Sequence, residues 1–291
     1  MNINRLIIII VGLLLLQACT STKFIEEGNT AMQAGDYNAA LQAYQEQIIK
    51  YASSGKVSDT TVYCKAGIAA LQLEQRDKAL KFFEAAEDMG YSSPEMLAAM
   101  AKIYRTIDNL SLEINVLEAY YQKYQEAEYH DSITVRLFET YLESENNDGV
   151  YKLWPQIEKY AATDIDLLSG YFSVNEKDGN DSVCDKLVDQ MLDIESDNVP
   201  ALEWLAKKYY QQADDLYVTE MKAYQRNRTN SQYKKLLKAW DKIWPTFRKS
   251  RDYFLKLYEI EPSPKYAQYL AAIYTRMDKK KKAAYYKARS E

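Results

Sequence analysis

Gly28-Asn29-Thr30-Ala31-Met32-Gln33-Ala34-Gly35-Asp36-Tyr37-Asn38-Ala39-Ala40 is the stretch that decides the fold of this chain. Two small residues, Gly28 and Ala40, stand 12 positions apart around the turn-forming run Gly35-Asp36-Tyr37. Apolar residues at helical spacing flank the turn: Phe24 and Ala31 before it, Leu41, Tyr44 and Ile48 after it. The pattern recurs at Gly67 and Ala79, with Tyr63, Ala70, Leu80, Phe83 and Ala86 in supporting places. It returns late in the chain as Ala206 and Ser250, now 44 positions apart. A helical hairpin of about 34 residues cannot bury its own apolar face, so copies have to stack on one another.

Beyond this stretch, the 291 residues hold only nine glycines and six prolines, and no segment sustains period-two alternation. The chain reads as all-α. Weaker copies of the pattern fall at Leu97, Ala101, Tyr104 and Leu117, at Phe138, Tyr141, Val150 and Trp154, and at Leu168, Phe172, Cys184, Val188 and Leu192. A final copy holds Leu270, Ala271, Tyr274 and Ala283, with its register open by one residue. Helix starts are expected at Ser93-Pro94, Asp131-Ser132, Thr163-Asp164, Asn198-Val199-Pro200 and Ser263-Pro264, where a capping side chain is available and three sites place proline in the first turn. No linker rich in glycine, proline or serine divides the chain, so residues 19–291 are expected to form one continuous domain.

Gly28, Tyr37, Ala40 and Tyr44 closely resemble the tetratricopeptide repeat. That resemblance implies an α-solenoid of about seven helical hairpins, in which the small residues mark where paired helices cross and the aromatics fill gaps between neighbours. Phe138 and Phe172 stand where the family prefers a small residue. The resemblance also implies an inner surface that receives peptides, to which Asn29, Lys65, Lys102, Arg105 and Glu139 would face. Lys102 and Arg105, three apart on one helix, could jointly grip a carboxylate. The family's carboxylate clamp needs a basic residue where Ile25 stands, so that particular activity is not implied.

The sixth hairpin, at about 201–260, is elongated. Its first helix carries Leu202, Leu205, Ala206 and Tyr209, yet its second-helix residues Ser250, Phe254 and Leu257 come 32 positions late. Apolar residues continue at 3,4 spacing through Ala213, Met221 and Tyr224, then Tyr233, Leu237, Trp240, Trp244 and Phe247, and Asn227-Arg228-Thr229-Asn230-Ser231 reads as the turn. Two lengthened arms of an antiparallel coiled hairpin are expected, each about 24 Å longer than an ordinary helix, with a kink at Pro245. Near its tip Lys222, Arg226, Arg228, Lys234, Lys235 and Lys238 occur with no acidic residue between Lys222 and Lys238. They form a candidate contact for an acidic partner or anionic lipid head groups.

At the other end, Leu6 to Leu16 is an uninterrupted apolar run after Arg5, with Gln17-Ala18-Cys19 behind it. The run is too short to span a bilayer and reads as a secretory signal, residues 1–18, ending in a lipobox with Cys19 as the lipidated first residue of the mature chain. Thr20, Ser21 and Thr22 supply neither an aspartate nor an acidic run after the cysteine, which places the chain at the outer membrane, lipid-anchored, with its body facing the periplasm.

Charge is uneven: residues 1–200 carry a net −16 and residues 201–291 a net +11, within an overall −5. Cys64 and Cys184 read as buried apolar residues. With His130 as the sole histidine, no His/Cys zinc set is available. Asp178, Asp181 and Asp185 lack EF-hand spacing and read as turn and helix-start residues. No phosphate loop, nucleophile elbow or histidine-dependent triad occurs, so neither an enzyme nor a cofactor is expected. Nucleic acid is not an expected partner. The sequence points to a lipid-anchored scaffold that binds envelope proteins, in outer-membrane or cell-wall assembly. The competing reading is a lipoprotein that captures a glycan or peptide for a transporter.

Overall fold

A computed structural model describes residues 23–55 and 59–291, so Cys19 and the apolar run before it lie outside the described residues. The described residues form seven helical hairpins. In order they are α1 Lys23–Gln33 with α2 Tyr37–Ser53, α3 Thr60–Gln72 with α4 Arg76–Asp88, and α5 Pro94–Thr106 with α6 Leu110–Lys123. Then come α7 His130–Glu143 with α8 Asn147–Ala161, α9 Ile165–Lys177 with α10 Asp181–Ile194, α11 Val199–Arg226 with α12 Asn230–Ile260, and α13 Pro264–Arg276 with α14 Lys280–Lys287. The fold is an all-α tetratricopeptide-type solenoid. Its described helices gather into two compact units, divided between Gln156 and Ile157.

The first five crossings follow one rule. A first-helix residue meets a second-helix residue 12 positions on, and the residue four positions further lies over the first. A Cβ on Gly28 would fall 2.4 Å from Tyr44 Cε1, and one on Gly67 would fall 2.3 Å from Phe83 Cε1. These glycines are small because an aromatic ring rests directly on the backbone, and Ala40 and Ala79 beside them have no exposed surface. Where the first residue is Phe138 or Phe172, the hairpin still closes: Val150 and Cys184 are fully buried opposite them, and Phe138 lies 5.8 Å from Trp154, ring centre to ring centre. At the third crossing the position 12 after Ala101 is Glu113, a buried carboxylate that takes two hydrogen bonds from the guanidinium of Arg136, at 2.7 and 3.1 Å. Burying a charge is tolerated only when it is paired in this way. Arg136 also reaches Glu139 and Glu143, and these carboxylates, Glu113 foremost, raise its affinity for its proton.

The turns obey a rule of their own. Seven residues after the first crossing residue, the backbone swings to positive φ: 74° at Gly35, 59° at Glu74, 56° at Asp108, 54° at Glu145, 72° at Gly179 and 53° at Asp278. The next amide then reaches back five residues, as in Asp36 N to Ala31 O at 2.9 Å and Lys279 N to Tyr274 O at 2.8 Å, which closes the helix end. Counting back from Asp278 fixes the last hairpin on Ala271 and Ala283. In the sixth hairpin the corresponding residue is Ala213, helical and 1% exposed, and α11 runs on through it.

The two arms therefore reach 28 and 31 residues, about 42 and 46 Å at 1.5 Å per residue, against 13 residues in α3, α4 and α5. Thr229 caps α12 by accepting from Gln232 N, and Pro245 sits inside that helix, where it leaves the Asp241 carbonyl without its usual amide donor. Below the long hairpin, Ser250 Oγ donates to the Ala206 carbonyl at 2.8 Å, and Phe254 is fully buried four residues on. The crossing is thus kept despite the insertion.

Two sequence expectations need correction. Leu237 does not face the inside of the arm: it is 39% exposed, while Leu236, Ile243 and Phe247 are buried, and Tyr233, 44% exposed, keeps its ring 5.8 Å from that of Tyr224 on the facing helix. Both rows satisfy the 3,4 spacing, and only packing against α11 selects between them. The helix expected to start at Asp131-Ser132 begins at His130, with Tyr129 before it and no side-chain cap.

Candidate partner-binding surfaces

The six basic residues of the arm tip are all exposed or half-exposed. Lys222 and Arg226 lie in the last turns of α11, Arg228 in the connecting turn, and Lys234, Lys235 and Lys238 in the first turns of α12. None forms an ion pair among the described residues. Elsewhere in this unit several basic side chains are engaged. Arg276 holds Asp214 at 2.8 Å, and Lys265 and Lys207 converge on Glu203 at 2.7 and 2.9 Å. Burial pushes the Glu203 carboxyl up, but hydrogen bonds from Lys265, Tyr266 and Lys207 outweigh it and hold the group at about 2.

The sequence-derived groove residues separate into two kinds. Asn29 and Lys65 are brought together: Asn29 Oδ1 accepts from Lys65 Nζ at 2.9 Å and from Tyr44 OH at 3.0 Å, so these groups tie the first two hairpins to one another. Lys102 and Arg105 instead stand exposed on α5, three residues apart, and neither has a side-chain partner among the described residues. Glu139 is taken by Arg136. Among the described residues, no group of three His, Cys, Asp or Glu is placed to hold a metal ion, and no helix is long and apolar enough to cross a membrane. Cys64 and Cys184 are buried free thiols whose proton affinity burial raises, Cys184 to about 11.

A cavity of about 530 Å³ in the second unit has no counterpart in the sequence reading. Its lining combines the aromatic rings of Trp204, Tyr210 and Tyr269 with Glu176, Asp181 and Asp185 from the facing ends of α9 and α10, and with Lys207 and Lys208. Asp185 accepts from Trp204 Nε1 at 2.9 Å and pairs with Lys208 at 2.6 Å. Burial acts to raise its proton affinity, and those two donors reverse the shift and lower it. The sequence shows Asp185 only as a helix-start residue because its partners lie 19 and 23 positions away, on α11.

No family model matches this sequence, and no curated protein sequence matches it. Solved structures do. A Bacteroides ovatus ATCC 8483 protein, described as a candidate protein-binding protein, aligns at a TM-score of 0.50 with 20% identity, over 76% of this chain and 99% of that one. A tetratricopeptide repeat protein from Parabacteroides merdae ATCC 43184 aligns at 0.44 with 12% identity, over 93% and 91% of the two chains. The C-terminal part of a repeat-containing protein from Cytophaga hutchinsonii aligns at 0.45 with 14% identity, over 91% and 93%. At such identities the likeness is one of fold.

Proposed function

This chain carries the tetratricopeptide-repeat fold, and on that ground we propose that it is a scaffold that binds other proteins through its helical-hairpin surface. The observation that carries the reading is the pair Lys102 and Arg105. Both are exposed and unpartnered on one helix, whereas the buried Glu113 and the half-buried Arg136 of the same unit are spent on each other. Two cations three residues apart on a helix can grip one carboxylate of an acidic segment. The Bacteroides ovatus neighbour, described as a candidate protein-binding protein, fits the same role. Our reading further places the scaffold in the cell envelope: lipidated at Cys19, held at the outer membrane with its body in the periplasm, and serving outer-membrane or cell-wall assembly. Its task is binding, with no chemical step and no cofactor.

A second reading, capture of a glycan or peptide for a transporter, is favoured by the aromatic cavity around Trp204, Tyr210 and Tyr269. Affinity purification of the full chain from membranes separates the two. Envelope proteins recovered in stoichiometric amounts, and lost when Lys102 and Arg105 are both changed to Glu, support the scaffold. An empty purification with glycan binding that Trp204→Ala abolishes overturns it. Replacement of Cys19 by Ser is expected to release the chain from the membrane fraction, and its retention there contradicts the anchor.

A further inference from the structure

The tip of the sixth hairpin joins two features that the sequence keeps apart. Its basic side chains are free of ion pairs, and beside them Tyr233 and Leu237 are 44% and 39% exposed, the Tyr233 ring resting with one side 5.8 Å from Tyr224 and leaving the rest to solvent. At about 100° per residue along a helix, Tyr233 and Leu237 share one row, Lys234 and Lys238 the next, and Lys235 lies beyond. An aromatic and an aliphatic side chain bordered by lysines make an interfacial pattern: the rings and methyl groups enter the head-group level while the ammonium groups stay at the charged surface.

We infer that the arm tip docks on an anionic lipid surface, an inference independent of the scaffold reading. The charge is distributed over the end of α11, the turn and the start of α12 rather than focused on one cleft. Four of the six basic groups are lysines, which act as mobile point charges, whereas recognition of fixed carboxylates favours the planar fork of arginine. Fluid lipid head groups can move to meet such scattered charges, and a folded acidic protein cannot. The exposed pair Tyr233 and Leu237 gains by leaving water for the interface, which an all-polar acidic partner would not provide.

Amide hydrogen exchange of the full chain tests the proposal, because it reads the tip separately from any attachment at the N-terminus. The protein is incubated with vesicles of phosphatidylcholine alone and with vesicles containing about 30% phosphatidylglycerol, enough anionic lipid to set a negative surface potential. Segments within residues 222–238 are expected to exchange several-fold more slowly on the anionic vesicles only. At roughly five-fold in occupancy per basic residue near a charged surface, changing Lys234, Lys235 and Lys238 together to Glu is expected to erase the protection, and Tyr233→Ser with Leu237→Ser to weaken it. Equal exchange on both vesicles overturns the proposal. So does protection that appears only when polyglutamate is added, which would assign the tip to an acidic protein.

Discussion

The second hairpin and the sixth are built on the same crossing and differ in the turn beyond it. In the second, Gly67 and Ala79 are 12 residues apart, Phe83 lies over the glycine, and Glu74 at positive φ ends the first helix. In the sixth, Ala206 and Ser250 meet with Phe254 four residues on, but Ala213 stays helical where Glu74 turns. Crossing and turn are therefore separable devices. One residue that accepts the left-handed backbone sets hairpin length, while the crossing sets where hairpins can stack. Asp214 comes after Ala213 as Asp36 comes after Gly35, and Phe247 then stands where Tyr37 does, so the long arm reads as 32 residues inserted into an ordinary repeat.

The shared crossing is most exposed to test at its ring. Phe83→Ala and Phe254→Ala should each cost about 3–5 kcal/mol, the usual loss for a fully buried ring, in urea unfolding of the full chain. A cost at Phe254 near zero would show that the sixth crossing is not the same device. Gly67→Val puts side-chain atoms where the Phe83 ring already lies, 2.3 Å from a Cβ position. A loss of roughly 2–3 kcal/mol is expected from overpacking, and a neutral result would refute the ring-on-backbone account. Ser250→Ala removes the buried hydrogen bond to the Ala206 carbonyl, worth about 1 kcal/mol, where the second hairpin manages with Ala79. The smallest effect has the opposite sign. Glu74→Gly relieves a non-glycine residue at φ 59° and should stabilise by roughly 0.5–1 kcal/mol, measured as a rise in melting temperature. A fall would mean that Glu74 serves some contact beyond the turn.

How far the sequence can be read depends on the range of each interaction. The 12-residue pairs, the seven hairpins and the elongated sixth are legible because they depend on residue size and helical period within one hairpin. The first-helix phenylalanines at 138 and 172 are harder, since the hairpin adapts to them by packing Val150 and Cys184 opposite. Glu74 and Glu145 carry no turn signal, because a left-handed backbone at glutamate is imposed by the closing hydrogen bonds and not by residue type. At the candidate sites the charges are visible and their company is not. Lys65 looks as free as Lys102, yet it is held by Asn29 from the neighbouring hairpin. Trp204, Asp185 and Lys208 become one wall of a cavity only when α10 and α11 pack together. Tyr233 and Leu237 fit an interior row as well as an exterior one, because helical spacing does not distinguish adjacent rows of a helix.

The arm is thus an insertion set on an otherwise regular repeat. Thermal unfolding, monitored by far-ultraviolet circular dichroism, of the chain lacking residues 215–246 and carrying Ala213→Gly puts that statement at risk. The change restores the 12-residue spacing between Ala206 and Ser250 and supplies the turn. A cooperative transition is predicted, with a loss of helical signal no larger than the removed residues contribute. A broad, non-cooperative melt, or helix lost from the flanking hairpins, would show that the arm is part of the core and would contradict it.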